Sequence, residues 1–176
     1  MIEKYINIKE FVEKTNTSMN IKYDNLLEYI TETGDKCGGL MPTLYEKRLL
    51  KTGQEMVPEL KFVHPKNDCH LGDIYSPVIN DGIEVKVCVG RTKLQNGKKY
   101  EHTVWENGSV QSHIKKFLFI DTRVVNCKLV IKRIFFGELS YKEWTPHLRK
   151  GIASGMFIGP RKLKKLCEQG LCKQII

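Results

Sequence analysis

Asp73, Glu84 and Lys86 lie within Gly72-Asp-Ile-Tyr-Ser-Pro-Val-Ile-Asn-Asp-Gly-Ile-Glu-Val-Lys86, an aspartate followed by E-x-K around an Asp-Gly step. Two acids and a lysine are the side chains that metal-dependent hydrolysis of a phosphodiester requires. Carboxylate oxygens hold a hard cation such as Mg²⁺, and a lysine orients the attacking water or offsets charge on the scissile phosphate. No other segment carries comparable chemistry. Asp68 and His70, just upstream, are candidates for outer ligands.

The elements that would position these groups can be read from periodicity. Ile83, Val85, Val87 and Val89 alternate with Glu84, Lys86 and Cys88, the pattern of a strand whose valines enter a core. Glu84 and Lys86 then share the opposite face, about 7 Å apart. A two-residue turn at Asp81-Gly82 would put Ile79 opposite Glu84 and Asp73 opposite Gly90, about 20 Å away along the strand. A shared metal therefore requires the chain to bend or cross between Asp73 and Val78, where Pro77 cannot donate to a ladder.

Upstream, apolar residues recur at helical intervals over residues 1 to 33 and predict two helices joined near Asn16 to Asn20. After Asp35-Lys-Cys-Gly-Gly39, a T-x-x-E signature at Thr43 and Glu46 predicts a third helix that closes at Gly53, with Glu46 as reciprocal acid of the cap. Downstream, Phe117 to Ile120 and Leu129 to Phe136 predict two central strands separated by Asp121 to Lys128. Asn96-Gly97 and Asn107-Gly108 mark turns. Pro160 at a first helical position and Gly170 at a C-terminal cap predict a short basic helix with Leu163, Leu166 and Cys167 inward. The Gly151, Gly155, Gly159 series lacks the ending of a phosphate-binding loop.

The 176 residues suit a single domain: a mainly helical part at 1–58, a sheet at 59–137 and a basic C-terminal part at 138–176. A balance of 29 Lys+Arg against 20 Asp+Glu gives a net charge of +9, which favours a polyanionic partner, nucleic acid first. Candidate contacts are Arg91, Lys93, Lys98 and Lys99 after the Glu84 strand, Gln111, His113 and Lys115 ahead of Phe117, and Arg161, Lys162, Lys164 and Lys165 in the tail. No apolar run nears the roughly 20 residues of a membrane span. The six cysteines include no C-x-x-C pair, and the first residues lack a signal-peptide pattern, so the expectation is a cytoplasmic protein with reduced thiols.

The D…E-x-K arrangement resembles the PD-(D/E)XK nuclease superfamily. Gly82-Ile-Glu-Val-Lys86 is most similar to the segment of type II restriction endonucleases and MutH-like mismatch-repair nucleases. Gly72 stands where that family usually carries proline. The resemblance covers about residues 43 to 136. It implies an α/β (α+β) fold, a central mixed β-sheet flanked by helices in a restriction-endonuclease-like core, with Asp73 and Glu84 as metal ligands, Lys86 as catalytic lysine and Glu46 as upstream helix acid. It further implies one or two Mg²⁺ ions, replaceable by Mn²⁺, a double-stranded DNA substrate and a homodimer. Two other readings remain: an RNA endonuclease of the same superfamily, and a non-catalytic nucleic-acid-binding protein.

Overall fold

A computed structural model describes residues 1–34, 39–65, 71–90, 100–102, 116–149 and 152–176. Three helices come first: α1 (Ile8–Lys22), α2 (Asp24–Thr33) and α3 (Leu40–Met56). Asn7 caps α1 by accepting the Glu10 N–H at 3.2 Å. The joint between α1 and α2 falls at Tyr23, later than expected, because Asn16 and Asn20 work inside α1. Both amides donate to the Leu129 carbonyl, at 2.8 and 3.0 Å, and Asn20 Oδ1 accepts the Leu129 N–H at 2.7 Å. These asparagines tie the helix to the sheet.

The start of α3 also differs from expectation. It begins at Leu40, so Thr43 is inside the helix, where its hydroxyl donates to the Gly39 carbonyl at 2.9 Å in place of capping. Pro42 lies in the first turn, where its missing N–H costs nothing. The helix runs past Gly53, where a Cβ would meet the Phe62 ring at 3.1 Å.

Five strands form a mixed sheet in the order β1-β2-β4-β5-β8, with β1 (Ile74–Ser76), β2 (Asp81–Gly90), β4 (Lys116–Val125), β5 (Lys128–Glu138) and β8 (Cys172–Gln174). Only β2 and β4 pair in parallel; the other neighbours are antiparallel. The strand expected to stop at Ile120 continues to Val125, and the connection to β5 shrinks to Asn126 and Cys127, both at positive φ (48° and 57°). That is the backbone of a tight hairpin turn matched to the twist of its strands. A second, three-stranded antiparallel sheet has the order β3-β7-β6, from β3 (Tyr100–His102), β6 (Thr145–Arg149) and β7 (Ile152–Ile158). Helix α4 (Pro160–Glu168) follows, with Pro160 in its first turn as expected.

Alternation along the strands sorts the side chains into two cores. Ile83 and Val85 of β2, Leu118 and Ile120 of β4, and Ile134 of β5 join buried residues of α1, α2 and α3. On the other face Phe117, Phe119 and Phe135 meet Trp144, Ile158 and the α4 residues Leu163 and Leu166. Trp144 lies 5.0 Å from the Phe117 ring and 5.8 Å from the Phe119 ring, centroid to centroid. Helices thus cover one face, and α4 with the root of the β6–β7 ribbon covers the other. The mixed α/β sheet flanked by helices is as expected. Among the described residues no helix is long and apolar enough to cross a membrane.

Candidate active site

The local geometry of Asp73 depends on where the hairpin turns. Ile74 pairs with Ile83, Tyr75 with Gly82 and Ser76 with Asp81. The turn comprises Pro77 to Asn80, so Asp81 and Gly82 belong to the strand, and the two-residue turn is not formed. One further step of this register sets Asp73 beside Glu84, and the Asp73 N–H donates to the Ile83 carbonyl at 3.0 Å. The bend that a shared site requires is present, and Pro77 lies in it.

Glycines make this close pairing possible. A Cβ on Gly82 would meet the Leu71 carbonyl oxygen at 1.9 Å, and one on Gly72 would meet the Ile83 backbone at 2.8 Å. Gly72 has φ +84°, a conformation closed to proline, whose ring fixes φ near −65°. Glycine at the position before Asp73 therefore fits the path by which this chain enters β1.

Asp73, Glu84 and Lys86 converge on the face opposite Ile83 and Val85. Asp73 Oδ2 accepts the Val85 N–H at 2.8 Å, which fixes its carboxylate over β2. The Lys86 ammonium donates to Glu84 Oε1 and lies 4.0 Å from Asp73 Oδ2. With one hydrogen-bond length and 4.0 Å between them, the two acid oxygens are at most about 7 Å apart. Glu84 is 7% exposed, while the side chains of Lys86 and Asp73 keep 19% and 23% of their surface open. The cluster is therefore sheltered yet reachable.

Burial and crowding shift the charges in opposite senses. Burial, reinforced by the Glu84 charge, raises Asp73 above its usual range against the pull of Lys86, the Val85 N–H and His64. Burial works to lower Lys86, but Glu84 and Asp73 outweigh it and hold the ammonium above its ordinary value. Glu46, on α3, is pushed up to about 7, by burial first and then by the Asp73 charge, with Glu84 adding to it and Lys86 opposing. Three acids thus feel one another across β1, β2 and α3. With Thr43 inside the helix, the capping explanation for Glu46 falls away.

His64 was not singled out by sequence. It follows Val63, which bridges to Tyr75 of β1, and its field reaches Asp73. Nothing in the pattern of residues 61 to 65 could reveal that bridge. Among the described residues no three His, Cys, Asp or Glu side chains gather tightly enough to form a metal cage. Mg²⁺ seldom uses such a cage: it keeps several waters and takes one or two carboxylates together with substrate phosphate. Two carboxylates facing one space, with the Lys86 ammonium already between them, are a donor set that fits it.

The expected nucleic-acid contacts divide between seen and unseen. Arg161, Lys164 and Lys165 are exposed on α4 and Lys162 is half-buried, with Leu163 and Leu166 turned inward as expected. Cys167 only packs at the margin of the second core, as does Cys88. Arg91, Lys93, Lys98, Lys99, Gln111, His113 and Lys115 lie outside the described residues, as do Asp68, His70 and the two Asn-Gly turns. Compared with protein-family models, curated proteins and solved structures, the chain matches none of them.

Proposed function

We propose that the protein is a Mg²⁺-dependent endonuclease that hydrolyses phosphodiester bonds in double-stranded DNA, in the manner of restriction enzymes, with the β1-β2-β4-β5 sheet as a restriction-endonuclease-like core. The observation that carries this reading is the register of β1 on β2, which brings Asp73 to Glu84 and Lys86. Asp73 and Glu84 would hold the metal, with Mn²⁺ as a substitute. When bound, such an ion supplies Lewis-acid stabilisation of phosphate charge and a more acidic water. Asp73 is oriented for this task by the Val85 N–H, and Lys86, released from Glu84, positions the attacking water or offsets phosphate charge. Glu46, near neutrality, suits the acceptance of that water's proton. A homodimer would place one such site on each DNA strand.

The same ion pairs would also appear in a non-catalytic binding protein, and the acids do not distinguish DNA from RNA. One assay separates these readings. Wild type, Glu84→Ala and Lys86→Ala are incubated with Mg²⁺ and either unmethylated phage DNA or a matched RNA, and fragment ends are sequenced. The proposal expects discrete DNA ends from wild type and none from either folded variant. Cutting of RNA alone selects the ribonuclease reading, and binding without any cutting selects the non-catalytic one.

A further inference from the structure

Helix α4 ends in a turn that folds the chain back on itself. Gly170 has φ +75°, its N–H donates to the Cys167 carbonyl at 3.0 Å, and the Leu171 N–H donates to the Leu166 carbonyl at 3.0 Å. Two such bonds around a left-handed glycine make a Schellman motif. The next residue, Cys172, opens β8 beside the helix the chain has just left. Gly137 lets it lie there: a Cβ at that position would come 2.7 Å from the Cys172 α-carbon, so the missing side chain is what admits β8 against β5. The turn thereby brings the Cys167 and Cys172 thiols within hydrogen-bonding reach of each other. Both belong to the second core, but unequally. Cys172 is 3% exposed and donates to the Phe136 carbonyl at 3.5 Å, whereas Cys167 is half-buried at the core's margin.

We infer that Cys167 and Cys172 are a redox-active dithiol, closed to an intramolecular disulfide by a small disulfide oxidant such as oxidised glutathione, and that closure staples the end of α4 to β8. In the first step the thiolate of Cys167, the thiol that solvent reaches, attacks one sulfur of the oxidant, forms a mixed disulfide and releases one glutathione thiolate. In the second, Cys172 gives its proton to solvent, attacks the Cys167 sulfur and expels the other glutathione. Two protein thiols are oxidised, one glutathione disulfide is reduced, and two glutathione thiols leave. Burial first, and then the neighbouring Cys167, push the Cys172 thiol up to about 12, so it stays protonated and leaves the first encounter to its partner. Two thiols can also touch simply as small apolar side chains. This pair differs in having one member open to solvent and the other held against it by a fixed turn, which gives the closing step a high effective concentration. The inference goes beyond the nuclease reading and does not depend on it.

Wild type is equilibrated with mixtures of reduced and oxidised glutathione, alkylated with iodoacetamide and digested with trypsin. Both cysteines fall in one peptide, Leu166 to Lys173. The expected result is that this peptide loses two hydrogens and takes up no alkyl group, and that dithiothreitol reverses both. At fixed reduced glutathione, the folded protein should close at a several-fold lower concentration of oxidised glutathione than the protein unfolded in urea. Cys172→Ser should trap glutathione on Cys167, and Cys167→Ser should leave Cys172 unmodified, with melts to check folding. Amide exchange in α4 should slow when wild type is oxidised. Two free thiols in this peptide while the exposed Cys127 carries glutathione would overturn the inference. So would a bond from Cys167 to any other cysteine, equal closure of folded and unfolded protein, or unchanged exchange in α4. The wild-type peptide decides the matter even if a substitution at the buried Cys172 unfolds the chain.

Discussion

Glu46, Asp73 and Glu84 repel one another, and Lys86 offsets them, with the Val85 N–H and His64 also easing the charge of Asp73. An acid whose folded value is raised destabilises the fold when it ionises. Glu46 goes from a usual value of 4.5 to about 7, so stability should fall as pH rises through that window and level off above it. Thermal melts across pH 4 to 8 should show this decline, and Glu46→Gln should flatten part of it, leaving the share due to Asp73. Saturating Mg²⁺ should remove most of the decline, because a bound cation favours the ionised acids. At the same scale, Lys86→Ala leaves the buried Glu84 and the half-buried Asp73 without the Lys86 ammonium, so it should bind Mg²⁺ without competition while losing cleavage.

The elements that hold these groups rely on a few local agreements. Gly82→Ala would drive a Cβ into the Leu71 carbonyl, so β2 must move. We expect a loss of about 1–3 kcal/mol in urea unfolding and a disproportionate loss of activity, since Glu84 is two residues away. Asn20→Leu would orphan the Leu129 N–H, while the Leu129 carbonyl keeps its Asn16 donor, and should cost about 1–3 kcal/mol by the same measurement. The alternation of Ile83, Val85 and Val87 makes the shared face of Glu84 and Lys86 legible in the sequence, because period-two patterning is local. The partner of Glu84 is not legible there. Asp-Gly is a strong turn signal, and only the pairing of Ser76 with Asp81, closed over Pro77 to Asn80, moves the turn upstream. The T-x-x-E motif misplaces the start of α3 for a related reason: Gly39 and Leu40 precede it, and Pro42 is tolerated in a first turn. β6 and β7 leave no signal at all, since Thr-Pro-His-Leu-Arg and a glycine-interrupted run lack strand alternation.

At the scale of the whole molecule, the sheet separates two tasks. Its helical face packs against α1, α2 and α3, and its other face sets the strand positions of Glu84 and Lys86 beside a second core of Phe117, Phe119 and Trp144. Trp144→Ala should therefore act at a distance. Removing a buried indole costs about 3–5 kcal/mol, and cleavage should fall as Phe117 and Phe119 loosen beside Glu84 and Lys86, whereas Trp144→Phe should recover much of both. The account as a whole turns on one claim, that Asp73 and Glu84 share a divalent cation, and titration calorimetry with Mn²⁺ on wild type, Asp73→Asn and Glu84→Gln reads it without substrate. The account predicts saturable binding by wild type that each single substitution abolishes while the melt stays cooperative. Binding by both variants equal to wild type, or no binding by any of the three, would contradict it.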